Sequence, residues 1–564
     1  MKKIFKIYLN FYKNNIFLFI ATVFQIILSG IVPVAISIYS KYFLDLILLD
    51  KIEYAIIISF FIVLIQIIKF IVKIFVEKGN LILSSSNKTR MIEDINKEIC
   101  KNYSSCFDDV NYMNELNRAI AFAEKGNLDI VVAINTCVAR LISIFGISLL
   151  AFTFGNFVLL FVIVISVIIS IILKYFYQNN YDSFRNKRMS SSRIITYFKN
   201  IFKIKNSVID IKTNNCSLVI NKYFETAMDE YKNETLNYNK RSNKNKLFSL
   251  LNILLVDMII YIYLGYQIIK KGMGISTFAM MVTACHSLSD TLITISNSLM
   301  SLRECVIEHR YYDKFINDNN NCSNGKIELK EDVYEIKMKD VCFKYGNHEI
   351  LEKINLSIKK GQKVAIVGKN GSGKTTLINL LLGLYVPYSG EIIYNGINLQ
   401  ELELSSIYNH ISYLQQDSVI FNIPIVDNIC LSNNSSDYSK FINQFSLDEK
   451  INNTEFGVNT KISRKLYKDG TELSGGEKQK ILLARLFNKK SQIIILDEFE
   501  KFLDENTKKI VFDYIKKLNK TVILITHNVT NCEFADVIFK IDDKQILTTT
   551  FGEINIKWFL TKEN

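Results

Sequence analysis

The sequence predicts two domains of different class in series. The first is an all-α domain with six membrane-crossing helices. The second is an α/β domain built around a phosphate-binding loop. Three observations carry this. The long apolar runs fall almost entirely before residue 300, and each is long enough to cross a bilayer, which takes about 20 apolar residues. A polar linker follows at 318–326, beginning Asp318-Asn319-Asn320-Asn321. Beyond it the pattern changes to short alternating strands and then to strand–helix alternation, the mark of a separate α/β domain. The expected domains are therefore 1–317 and 327–564.

The six spans are expected at Ile16 to Leu49, Tyr54 to Val76, 128–153, 156–176, Leu247 to Ile269 and Ile275 to Met300. Connections after the first, third and fifth are short, and those after the second and fourth are long and basic. The positive-inside rule then puts the long loops, the N-terminus and everything past the last span in the cytoplasm. The long loops keep helical spacing of apolar residues, so the spans are expected to run on below the membrane as continuous helices. Only three prolines in 564 residues agree with long, uninterrupted helices. Residues 1–13 place Ile4, Phe5, Tyr8, Leu9, Phe11 and Tyr12 among four lysines. That suits an amphipathic helix on the inner membrane face, or a plain basic flank of the first span. The run after Lys13 is too long for a cleavable signal and lacks a small-residue cleavage site.

The net charge of +13 comes largely from Lys and Arg between apolar spans. It therefore reads as cytoplasmic loops, and no nucleic-acid partner is expected. The ten cysteines are scattered without a C-x-x-C pair. They read as small buried hydrophobes or free thiols in a reducing compartment.

The chemistry begins at 368–376, Gly-Lys-Asn-Gly-Ser-Gly-Lys-Thr-Thr. The pattern fits G-x-x-x-x-G-K-[ST], between a strand at Val364–Val367 and a helix from Leu377. Gly368, Gly371 and Gly373 let backbone N–H groups turn inward, and Asn370, Ser372 and Thr376 complete the cradle. Lys374 can reach the β- and γ-phosphates, and the Thr375 hydroxyl can hold Mg²⁺. A second acidic element is the apolar strand Ile493–Leu496 ending in Asp497 and Glu498. Asp497 can hold Mg²⁺, and Glu498 can polarise the attacking water as general base.

Residues 471–480 read Thr-Glu-Leu-Ser-Gly-Gly-Glu-Lys-Gln-Lys and open a helix. Ser474, Gly475 and Gly476 there offer bare N–H groups and a hydroxyl to an anion. The L-S-G-G-E core, with the phosphate loop before it and six spans on the same chain, resembles the ATP-binding cassette (ABC) exporters. The resemblance covers nearly the whole chain. It implies a P-loop NTPase domain of the cassette type behind an exporter-type membrane domain, with ATP and Mg²⁺ as cofactors. It implies that Ser474, Gly475, Gly476 and Glu477 meet ATP held on a partner's phosphate loop, so that two ATP molecules lie in a head-to-tail dimer. It also implies roles for Gln416 (sensing Mg²⁺ and the membrane domain), His527 (contacting the γ-phosphate), Asp504 (crossing the dimer interface) and Tyr345 (stacking on adenine). The family usually has Pro after the Glu and small residues before the Asp. Here Phe499-Glu500-Lys501-Phe502-Leu503 stands in that place, which bears on the geometry of the interface loop.

The hydrolytic set is complete: Lys374, Gln416, Glu498 and His527, with Thr375, Gln416 and Asp497 for the metal. That favours a homodimer, with a heterodimer as the alternative. Residues 106–116 resemble the family's first coupling helix, and 201–208 are the second candidate. The expected function is ATP-driven export of an amphipathic solute (peptide, lipid or hydrophobic drug) across the cytoplasmic membrane by alternating access. An ATP-gated channel or sensor shares every motif named. An importer is disfavoured by the fused domain order, and a soluble cassette ATPase by the spans. Arg140, Asp257, His286 and Asp290 lie in the spans, where they either line a solute path or pair between helices. With only about 15 residues before the first span, no leader-cleaving peptidase module is expected.

Overall fold

The computed structural model describes residues 2–153, 161–162, 165, 168–169, 172, 181–317, 325–431 and 438–551. Two compact units emerge: residues 1–100 with 110–318, and residues 101–109 with 319–564. The helical and α/β halves agree with the sequence reading, but the short segment 101–109 groups with the α/β half.

The helical unit contains α1 (Lys2–Tyr12), α2 (Ile16–Leu48), α3 (Ile52–Lys101), α4 (Val110–Ala123), α5 (Leu128–Thr153), α6 (Tyr181–Ile201), α7 (Lys205–Thr213), α8 (Ser217–Lys271) and α9 (Ile275–Asn317). Among the described residues five helices are long and apolar enough to cross a membrane, namely α2, α3, α5, α8 and α9. The fourth expected span, 156–176, and the turn before it lie largely outside the described residues. Helix α3 runs unbroken for 50 residues and α8 for 55. At 1.5 Å per residue each is far longer than the roughly 30 Å of bilayer hydrocarbon. Both are long enough for the expected extension of spans beyond the membrane.

Small residues set the helix packing. A Cβ on Gly30 of α2 would lie 2.7 Å from Ile142 of α5, so only glycine admits this approach. Ser143 of α5 donates to the Gly30 carbonyl at 2.9 Å. The N-terminal helix is more than a basic flank. Its Tyr8 donates to Asn135 of α5 at 2.8 Å, and its Tyr12 to Asn80 of α3 at 3.0 Å. Burial pushes the Tyr8 and Tyr12 phenols above their ordinary range.

The α/β unit holds two sheets. An antiparallel sheet has the order β2-β1-β4-β5, with β1 Glu335–Tyr345, β2 His348–Lys359, β4 Ser389–Tyr394 and β5 Ile397–Asn398. A second sheet has the order β10-β9-β3-β8-β7-β6. Its strands are β3 Lys363–Gly368, β6 Ile411–Leu414, β7 Ile493–Asp497, β8 Thr521–Ile525, β9 Val537–Asp542 and β10 Gln545–Thr549. Strands β3 and β6 to β9 pair in parallel, and β10 closes the edge antiparallel to β9. Parallel strands are covered on both faces, which is why Ile493, Ile494 and Ile495 of β7 and Val522, Ile523 and Leu524 of β8 read as unbroken apolar runs and are all buried. The helices are α10 (Lys374–Leu381), α11 (Leu404–His410), α12 (Ile425–Ile429), α13 (Tyr438–Gln444), α14 (Asp448–Asn452), α15 (Gly475–Asn488) and α16 (Glu505–Lys517).

Candidate functional site: a phosphate cradle at the ends of four parallel strands

Strands β3, β8, β7 and β6 are consecutive neighbours in one sheet and point the same way. Their C-terminal ends therefore lie side by side, where ligands bind in open α/β sheets. The phosphate loop leaves β3, Asp497 ends β7, Gln416 follows β6 and His527 follows β8. Parallel pairing sets Asp497 opposite Ile525, and the Glu498 amide donates to the Ile525 carbonyl at 3.1 Å. Residues up to 159 positions apart in the chain become neighbours by topology alone.

The loop from Gly368 to Gly373 leads into α10, which starts at Lys374. Gly373 sits at φ 98°, a conformation that side chains other than glycine's disfavour. A Cβ on Gly368 would meet Ser372 Oγ at 2.6 Å and the Ile541 carbonyl at 2.8 Å, so the loop closes tightly over the strand end. Lys374 Nζ donates to the carbonyls of Gly368 at 3.0 Å and Lys369 at 2.9 Å. Burial lowers its pKa, and a phosphate would offer the buried ammonium a stronger partner.

Thr375 Oγ1 donates to Asp497 Oδ2 at 3.1 Å. Asp497 Oδ1 and Ser372 Oγ are buried with no hydrogen-bond partner. Burial lifts the Asp497 carboxyl to about 6. Buried polar atoms are costly unless satisfied, so this hydroxyl and carboxylate fit a cation and a phosphate between them. Tyr413, on β6, adds a second orphan hydroxyl beside that of Ser372. It is a residue the sequence reading passed over, because a tyrosine in a strand looks like core.

Glu498 adopts φ 45°, a strained backbone for a residue with a side chain. Its carboxylate accepts from Gln416 Nε2 at 2.7 Å and makes a short contact with His527 Nε2. Three residues assigned to hydrolysis thus meet at one carboxylate.

At the signature motif, Ser474 caps α15. Its Oγ accepts from the Glu477 amide at 3.2 Å, and Glu477 accepts from the Ser474 amide at 2.8 Å. This reciprocal capping box gives Glu477 a structural task. Gly475 and Gly476 border Phe502, since a Cβ on Gly475 would lie 3.7 Å from its ring. Asp504 caps α16, accepting from Thr507 N at 3.1 Å and Thr507 Oγ1 at 2.7 Å. The Thr507 hydroxyl, first of its partners, holds the Asp504 carboxyl below its usual range. The two bulky residues of this loop part ways. Phe499 is buried against Phe512, and Phe502 is exposed.

Tyr345 ends β1 with its ring partly exposed, edge-on to Tyr385 at 5.5 Å. Tyr385 Oη in turn donates to Asp108 Oδ2 at 3.1 Å. Asp108 belongs to the one-turn helix Ser104–Asp108, which lies a few residues before the centre of the stretch expected at 106–116. Tyr103 packs on the core of the α/β unit. The second candidate stretch, 201–208, contains the end of α6 and the start of α7.

Within the helical unit, Asp257 accepts from Ser289 Oγ at 2.6 Å, which makes it an interhelical tie. His286 and Asp290, four residues apart on α9, are exposed, and Arg140 is half-buried.

Residues 351–500 match the family model described as ABC transporter. These residues are therefore an ABC transporter domain. The chain's fold is that of the family's exporters, since it superposes on a bacterial Atm1-family ABC exporter with ATP bound at a TM-score of 0.82, with 97% of this chain and 98% of that chain covered at 16% identity. The chain is similar in sequence to named relatives as well. The lactococcin-A transport/processing ATP-binding protein of Lactococcus lactis subsp. lactis is 35% identical over 39% of this chain and 31% of its own length. An ATP-dependent lipid A-core flippase of Francisella tularensis subsp. tularensis is 33% identical over 40% of this chain and 37% of its own. The chain thus matches about a third of the length of these curated relatives. With its long apolar helices, the chain is a multi-pass membrane protein.

Proposed function

We propose that this chain is one half of a dimeric, ATP-hydrolysing exporter that carries an amphipathic solute out across the cytoplasmic membrane. The observation that carries the reading is the meeting of Gln416 and His527 on Glu498, beside the Thr375–Asp497 pair. That is an arrangement for activating water next to a terminal phosphate. Lys374 would leave its loop carbonyls for the phosphates. Thr375, Asp497 and Gln416 are the groups that would hold Mg²⁺, which neutralises phosphate charge. Gly475 and Gly476, at the N-terminus of the 14-residue helix α15, would present amides to an anion. This supports ATP shared with a second copy. Phe502 beside these glycines makes the interface bulkier than the small residues usual there.

The coupling route is the contact of Asp108 with Tyr385, next to Tyr345, so that a nucleotide stacked on Tyr345 is felt by residues 101–109. Exposed His286 and Asp290 on a membrane-crossing helix are costly against lipid, which favours their facing a polar passage. The names of the relatives, a lactococcin-A transport/processing protein and a lipid A-core flippase, fit a large amphipathic cargo. The test is ATP-dependent uptake into inside-out vesicles across a panel of peptides, lipids and drugs. Accumulation that Glu498→Gln abolishes is expected. Ion current without accumulation would overturn the pump.

A further inference from the structure

Resting on the reading that the cassette hydrolyses ATP, we propose that Glu500 is a positioning residue that holds the His527 turn against Glu498. It lies three residues past Asp497, in the turn Phe499–Phe502. Its half-buried carboxylate accepts from Thr526 Oγ1 at 2.7 Å and from the Asn531 amide. Thr526 immediately precedes His527. The same Thr526 hydroxyl accepts from the Asn528 amide at 3.0 Å. Asn528 Oδ1 then accepts from Thr530 N at 3.1 Å and starts the turn Val529–Cys532, which carries Asn531. His527 is thus held from both sides, and the two ties converge on one carboxylate.

Glu500 is itself anchored. The Phe499 carbonyl accepts from Gln479 Nε2 at 2.8 Å, and the Phe499 ring is fully buried. The backbone carrying Glu500 therefore cannot swing, and its carboxylate is a fixed point. An ionised carboxylate only accepts hydrogen bonds, and both of its partners here donate. The arrangement also turns a third negative charge, after those of Asp497 and Glu498, away from the phosphates and toward the hydroxyl and the amide. Removing it frees the His527 turn but leaves the phosphate loop and the Thr375–Asp497 pair untouched.

The experiment uses the full-length chain in lipid nanodiscs, measuring steady-state ATP hydrolysis and thermal melting. Glu500→Ala is expected to lower kcat about tenfold or more, the scale of loss when a catalytic group is misplaced, while KM for ATP stays within about twofold. In the His527→Ala background the same change is expected to cost no further rate, because the group it positions is gone. If Glu500→Ala does not fold, Thr526→Val removes the donor while keeping the shape, and it is read by the same cycle. An equal loss in both backgrounds, or full kcat in either variant, overturns the proposal while leaving ATP hydrolysis standing. Absence of hydrolysis by the unaltered chain overturns both readings.

Discussion

The isoleucines of β7 and those on the outer face of α3 have opposite destinations. In β7, Ile493, Ile494 and Ile495 are each 1% exposed, whereas in α3 Ile56 is 64% and Ile71 59% exposed. The interior of the helical unit also holds hydroxyls. Thr22, Ser143 and Thr291 are fully buried in the helical unit, each with its hydroxyl donating to a backbone carbonyl. Buried polar groups of the cassette include the phosphate-site residues Lys374 and Asp497. The difference is one of solvent. Against water, apolar area drives burial. Against hydrocarbon it drives nothing, and close approach of small residues and internal hydrogen bonds hold the helices together.

The largest effect that would break this contrast is on the core. Ile495→Ala is expected to destabilise the cassette by about 2–5 kcal/mol, and Ile67→Ala on the exposed face of α3 by less than about 0.5 kcal/mol. Melting of the two variants in the same lipid compares them directly, and equal losses would show that α3 is packed against protein. Next comes the site. Glu498→Gln is expected to slow hydrolysis by about a hundredfold or more while nucleotide binding persists. Turnover together with equilibrium ATP binding checks it.

A smaller effect comes from the buried acid. Burial raises the Asp497 carboxyl from 3.8 to about 6. The metal-free folded state therefore holds a proton between about pH 4 and 6 that the unfolded chain has released. Stability from this group is full below pH 4 and is lost as pH rises through about 6. Asp497→Asn should then be more stable than the parent at pH 7.5 in chelator, by about 1–3 kcal/mol, and no more stable at pH 4. Melts at the two pH values decide, and a pH-independent difference would mean that burial is not the cause. Smallest is the adenine contact. Tyr345→Ala should raise the ATP KM by about 1–2 kcal/mol equivalent, the lower part of the range for an aromatic stacked on a base, and Tyr345→Phe should leave it unchanged.

Much of this was legible in the chain, for reasons that differ by element. A span of apolar residues is a local property, so α2, α3, α5, α8 and α9 could be read from composition. The phosphate loop is local too, because its glycines answer a backbone demand such as φ 98° at Gly373. The position of the short helix at Ser104–Asp108 was legible only to within a few residues, since a single turn carries little periodicity. Glu477 is expected to meet ATP through the family resemblance, and its capping box follows from the Ser-x-x-Glu pattern. Asp504 likewise caps α16. Glu500 drew no reading of its own in the stretch Phe499–Leu503. Its partners, Thr526 and Asn531, stand 26 and 31 positions away.

The sequence by itself determined what kind of solvent each half meets and which residue types could handle phosphate. Both follow from the nature of side chains and their near neighbours. Only the tertiary structure decided which of those residues meet. Parallel pairing of β7 with β6 and β8 brings Gln416, Glu498 and His527 to one carboxylate. The same pairing sets Glu500 beneath the histidine turn. Contacts of that range depend on strand order, which no short stretch of sequence encodes.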